Sequence, residues 1–189
     1  MKRLTVILIT LLIIAYPFAV YFGLNHVSPR YIALSLGFII LLRFVLIAPK
    51  QKPTTKVSLI LITLAGAILC LSGAISNQIL IIKLYPVAIS LMLLVTFYYS
   101  LLHPPTIIER FARIKEANLS AAAINYTQKI TIIWCSFFAI NGLIALWTAL
   151  AQNAKIWAIY NGLISYILIG ALFVTEFIYR QYAKRKNYL

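Results

Sequence analysis

The chain has 189 residues, 63% of them hydrophobic, with a mean hydropathy of +0.96 and a formal net charge of +14. A soluble domain is roughly 45–50% apolar, so this chain carries more apolar surface than a core of its own could hide, and a water-soluble globular fold is excluded. Its 17 Lys and Arg lie between apolar runs rather than along a stripe with its own soluble fold, which argues against nucleic acid as a partner and for charge that orients the chain in a bilayer.

Six apolar runs are long enough to cross a hydrocarbon core of about 30 Å at about 1.5 Å per residue. They are Leu4–Gly23, Tyr31–Ala48, Val57–Ile75, Ile79–Leu102, Ile130–Ala151 and Ile156–Tyr179. Backbone groups in lipid must be paired within their own segment, so each run is predicted to be a helix. The expected fold is therefore all-α, a polytopic transmembrane helix bundle of six spans forming a single integral membrane domain. The first run follows Lys2 and Arg3, but it is too long for a signal peptide and ends in no A-x-A site, so it reads as a retained helix. Cys70 and Cys135 both lie inside apolar runs and read as small buried hydrophobes.

Most connections are short. Pro49 and Pro53, with Lys50, Lys52 and Lys56 around them, stop the second run. Ser76-Asn77-Gln78 is a tight uncharged turn. Only the segment from His103 to Lys129 is long.

Orientation follows from the basic residues. With the N-terminus inside, the inner segments hold Lys2, Arg3, Lys50, Lys52, Lys56, Arg110, Arg113, Lys115, Lys129, Arg180, Lys184, Arg185 and Lys186, while the outer segments hold only Arg30 and Lys155. Thirteen against two predicts both termini and the long loop on the cytoplasmic side.

The long loop contains Glu109 and Glu116, two of the three acidic residues. Pro104-Pro105 ends the fourth run, and Thr106 can cap a new helix with Glu109 at the capping-box position. Ile107, Ile108, Phe111 and Ile114 then share one face, and Glu109, Arg110, Arg113 and Glu116 the other. This is the pattern of an amphipathic helix lying in the inner interface. Its arginines, with His103 nearby, are candidates for docking an anionic partner or a lipid headgroup.

Ionisable residues inside membrane helices cost about 2.5–3.5 kcal/mol at the bilayer centre and less near the ends. Arg43 and Glu176 fall at matching depth near the cytoplasmic ends of their runs and could pair. Glu176 also has Arg180 at the favourable i,i+4 spacing. Lys83 lies one turn inside its run and is expected to snorkel to the headgroups. Asn141 and Asn161 recur in the same tetrapeptide, Asn-Gly-Leu-Ile, and should bond between helices, with Gly142 and Gly162 permitting close approach. Gly66, Cys70, Gly73 and Ala74 form a small-residue strip on the third run. Pro17 and Pro86 should kink the first and fourth.

No hydrolase, metalloprotease or phosphate-loop motif occurs, and the chain has no aspartate. Only a constellation of His103, Glu109 and Arg113 could serve an enzyme, and His103 at a helix C-terminus suits the helix dipole equally well. No catalytic residue, metal or cofactor is assigned.

Tyr16-Pro17, Ser28-Pro29-Arg30-Tyr31, Lys83-Leu84-Tyr85-Pro86, the stretch His103-Pro104-Pro105-Thr106-Ile107-Ile108-Glu109-Arg110-Phe111-Ala112-Arg113, Tyr126-Thr127, Trp134, Asn141-Gly142 and Glu176 together resemble a family of small bacterial inner-membrane proteins. Genes of that family typically lie among those for aryl-polyene (xanthomonadin-type) pigment synthesis. The resemblance covers nearly the whole chain, and the Pro-Pro-x-Ile-x-Glu-Arg-Phe-Ala-Arg stretch is its most specific part. Gln128 departs from the basic residue expected after Tyr-Thr. The family brings no established catalytic residues. What the resemblance implies is an inner-membrane accessory or scaffold protein that meets acyl carrier protein, with a transporter or flippase for a lipid-linked product, or a membrane acyltransferase, as alternatives.

Overall fold

A computed structural model describes residues 17, 18, 20–23, 27–47, 53–151 and 153–185. Among them the fold is all-helical. The helices are α1 (Pro29–Ile47), α2 (Pro53–Ser76), α3 (Ile79–Lys83), α4 (Tyr85–Leu102), α5 (Ile107–Lys115), α6 (Ala121–Leu150), α7 (Ala154–Ile159) and α8 (Ser165–Arg185), with a π-helical turn at Tyr160–Ile164 between the last two. Among the described residues, three continuous segments are long and apolar enough to cross a membrane: Ile79–Leu102, Ala121–Leu150 and Ala154–Ala183. Most of the Leu4–Gly23 run lies outside the described residues.

The fifth run starts earlier than its apolar stretch, at Ala121 rather than Ile130, because Ser120 caps it by accepting the Ala123 N–H at 3.0 Å. Thirty residues of helix are about 45 Å long, half as long again as a hydrocarbon core.

Residues 1–88 and 145–164 form one compact unit. Within it α1 and α2 are an antiparallel pair. Ala33 faces Gly73, Gly37 faces Cys70, and Ile40 faces Gly66. A Cβ on Gly37 would stand 3.3 Å from the Cys70 Cβ, and one on Gly66 would stand 3.1 Å from Ile40 Cδ1, so the small-residue strip is what lets the two backbones approach. The α2–α3 turn is pinned to the start of α1. Asn77 adopts a left-handed φ of 53°, which asparagine tolerates, and its Oδ1 accepts the Arg30 N–H at 3.1 Å. The Arg30 Nε donates to the Ala74 carbonyl at 3.0 Å, satisfying a backbone group in the last turn of α2. A single residue, Leu84, separates α3 from α4, and bonds from the Leu84 N–H to the Leu80 carbonyl and from the Ala88 N–H to the Leu84 carbonyl, each 3.0 Å, carry the helix across it.

Residues 89–144 and 165–189 form the second unit. Its core is Ile130, Trp134 and Phe138 on α6, packed by Leu93, Leu94 and Phe97 of α4, Ile169 and Leu172 of α8, and Ile108 of α5. The aromatic rings meet edge-on or tilted, with Trp134 and Phe173 centroids 4.7 Å apart and Phe97 and Phe138 5.1 Å apart. One polar node ties three of these helices, α4, α6 and α8. Asn141 donates Nδ2–H to Ser90 Oγ at 3.1 Å and accepts from Ser165 Oγ at 2.9 Å, all three residues being buried. Around this core, large apolar side chains such as Leu91, Val95, Ile140 and Leu143 lie bare, as expected where lipid is the solvent.

Candidate functional site

The loop between α4 and α5 is built by short local bonds. Ser100 Oγ donates to the Phe97 carbonyl at 2.7 Å and accepts the Ile107 N–H at 3.1 Å, which hooks the first residue of α5 onto the last turns of α4. Thr106 is fully buried and caps α5, its Oγ1 accepting the Glu109 N–H at 3.2 Å. His103 stacks on Tyr99, ring centroids 4.2 Å apart, with its Nδ1 3.2 Å from the Tyr99 carbonyl.

The faces of α5 depart from the sequence expectation. The reciprocal half of the capping box does not form, because the Glu109 carboxylate turns to Arg113 instead. Arg113 donates Nε–H and Nη2–H to Glu109 Oε1 at 2.9 and 2.6 Å, and Nη1–H to the Ala117 carbonyl at 2.9 Å. Glu109 is 4% exposed, whereas Phe111 is 65% and Ile114 81% exposed. Glu109 and Ile108 thus turn inward, the glutamate closed by its ion pair with Arg113, while Phe111 and Ile114 turn outward. Arg110 remains exposed beside them, its Nε donating to the Pro105 carbonyl at 2.8 Å.

The other acidic side chain in this unit's helices is Glu176. Its Oε1 accepts the Tyr126 O–H at 3.3 Å and lies 3.6 Å from Arg180 Nε. Tyr126 stacks on Tyr179 at 5.8 Å, and the Arg180 guanidinium lies 5.8 Å from the Phe177 ring centroid. Tyr126, Arg180 and the Glu176 carboxylate therefore form one cluster in which the charge is locally balanced. Arg43 lies in α1, and its side chain is outside the described residues, as is that of Lys115.

The remaining intramembrane groups belong to the first unit. Asn161 sits in the π-helical turn and donates Nδ2–H to the Trp157 carbonyl at 2.9 Å and to Thr148 Oγ1 at 3.2 Å. The Trp157 indole N–H donates to the Lys83 carbonyl at 3.0 Å. Lys83 is 5% exposed, its stem covered by its neighbours. Sequence reasoning missed this burial, and it missed Ser90, Ser100, Thr148 and Ser165 as partners; the i−3 or i−4 self-bonding habit of Ser and Thr in apolar helices conceals them.

Among the described residues, no three His, Cys, Asp or Glu side chains gather where a metal ion could sit. The loop can bind anions through Arg110 and can grip lipid through Phe111 and Ile114. Compared with known protein families, with curated proteins and with solved structures, the chain matches none.

Proposed function

We propose that this chain is an integral inner-membrane accessory protein, six spans with both termini cytoplasmic, whose basic inner face docks an anionic partner close to lipid. The observation that carries this reading is α5. Its buried Glu109 is neutralised by Arg113, its exposed Phe111 and Ile114 suit the acyl boundary, and Arg110 is left as uncompensated charge at the level of the headgroups. A face of that kind steers an acidic protein by its field and holds it within reach of the bilayer. The partner class that the aryl-polyene resemblance brings is an acyl carrier protein, which is acidic and carries the growing acyl chain.

The test is capture of a purified acidic acyl carrier protein by the full chain in nanodiscs. Capture should fall as salt rises and should be reduced by Arg110→Glu, while Arg30→Gln on the opposite face leaves it unchanged. Salt-independent capture, or equal capture by both variants, contradicts the reading. Reporter fusions check the topology: Ser76 and Asn153 should report the periplasm, Pro53 and Asn118 the cytoplasm.

A second reading, transport of a lipid-linked product, draws support from the π-helical turn at Tyr160–Ile164, since such turns are frequent at functional sites.

A further inference from the structure

The two arginines of α5 are in unequal states. Arg113 is committed inside the protein, with its N–H groups on Glu109 and on the Ala117 carbonyl. Arg110 is exposed and held by one edge only, its Nε–H on the Pro105 carbonyl at 2.8 Å. Its guanidinium makes no other contact among the described residues. That single bond fixes the group against the loop and leaves both terminal amino groups as a fork suited to a phosphate or a carboxylate.

The neighbours of Arg110 choose between those anions. Ile114 lies at i+4 from Arg110 and at i+3 from Phe111, so the two apolar side chains border the guanidinium on the helix surface, and both are largely exposed. A free phosphate or a soluble carboxylate would meet only the charge. A phospholipid meets both, with its phosphate on the arginine and its acyl chains against Phe111 and Ile114. The exposed charge at this end of the unit is mainly positive, Arg110, Lys129 and Arg185 against Glu116. A zwitterionic headgroup would bring its own cation into that surface, so an anionic one is favoured.

Tyrosines at the same end give the level. Tyr98 and Tyr99 lie in the last turns of α4, Tyr179 and Tyr182 in the last turns of α8, and each is more than half exposed. These helix ends meet within the unit, since Tyr179 stacks on Tyr126 near the start of α6 and Ile108 of α5 packs on the α6 core. Outward-facing tyrosines concentrate at the headgroup level of a bilayer. We propose that Arg110, Phe111 and Ile114 form a binding site for an anionic phospholipid, with the lipid phosphate on the Arg110 guanidinium. The site rests on the interfacial placement of α5 proposed above and not on the identity of the docked partner.

The experiment places a bimane fluorophore at Ile114→Cys in the full chain in nanodiscs and compares quenching by brominated phosphatidylglycerol and brominated phosphatidylcholine at equal mole fraction. Phosphatidylglycerol should be enriched about fivefold beside the label, and the enrichment should fall as salt rises. Arg110→Gln should remove most of it, Arg110→Lys should keep part of it, and Lys155→Gln, in an outer segment, should leave it unchanged. Equal quenching by the two lipids in the labelled chain without further substitution overturns the site while leaving α5 in the bilayer interface. Quenching by neither lipid puts the label in water and overturns both the site and the placement of α5 on which it rests. Full enrichment in Arg110→Gln assigns the preference to the general field of the basic face and overturns the site as well.

Discussion

Arg113 holds Glu109 through two N–H groups on one carboxylate oxygen, at 2.9 and 2.6 Å, and places a third on the Ala117 carbonyl. The pair is asymmetric, with the glutamate side chain 5% exposed and the arginine 37%. One side chain thus closes the loop after α5 and neutralises the only acidic group buried beneath it. The surface left facing outward is apolar with a basic edge.

Removing Arg113 should hurt more than removing both partners. Arg113→Gln leaves a buried carboxylate unpaired and should cost about 1–2 kcal/mol, below the ~3–5 kcal/mol of a fully buried pair because the arginine is partly in solvent. Glu109→Gln with Arg113→Gln should recover part of that loss. Unfolding of the three variants in mixed micelles measures it, and strictly additive losses would contradict the coupling.

Asn141 bonds to two helices at once, so its loss should exceed that of either partner. Each interhelical bond in lipid is worth about 0.6–2 kcal/mol. Asn141→Ala should therefore destabilise the bundle by more than Ser90→Ala or Ser165→Ala in the same micelle unfolding assay. A neutral Asn141→Ala would show that the node contributes nothing to stability.

Gly162 has no room for a side chain. A Cβ there would stand 2.6 Å from Phe18 Cε2 and 2.9 Å from Cδ2. Gly162→Ala should lower stability by about 1–3 kcal/mol, as overpacking does, and Phe18→Leu in the same chain should restore part of it. Gly170, which meets nothing within 4 Å, is the control: Gly170→Ala should be neutral or stabilising.

Much of the fold was legible in the sequence because lipid imposes strict rules. Among the described residues the apolar runs became helices, Ser76 to Gln78 became a turn, and the Gly66–Cys70–Gly73 strip became the packing face of α2. The Thr106 cap was legible too, since its spacing is local. The orientation of α5 was not. A helical wheel sorts polar from apolar residues, but which side faces the protein depends on the solvent of the outer face, and here Glu109 lies inward. Nor did identical tetrapeptides give identical structure. Asn141-Gly142-Leu143-Ile144 is regular α-helix because Asn141 spends its amide on other helices. Asn161-Gly162-Leu163-Ile164 falls in a π-helical turn, where the Asn161 side chain takes the Trp157 carbonyl that a regular ladder would give to the Asn161 N–H. The burial of Lys83 was hidden for a similar reason, since the Trp157 that covers its backbone lies 74 positions away.

The most direct test of the account is the depth of α5. Ile114→Cys and Asn118→Cys, each in the full chain in nanodiscs, are spin-labelled and read against lipid-soluble oxygen and a water-soluble nickel chelate; native Cys70 and Cys135 are buried and label poorly. The label at position 114 should be accessible to oxygen and shielded from nickel, and the label at 118 should show the reverse. If the label at position 114 is as accessible to nickel as the one at 118, α5 lies in water, and the lipid-facing docking surface does not exist.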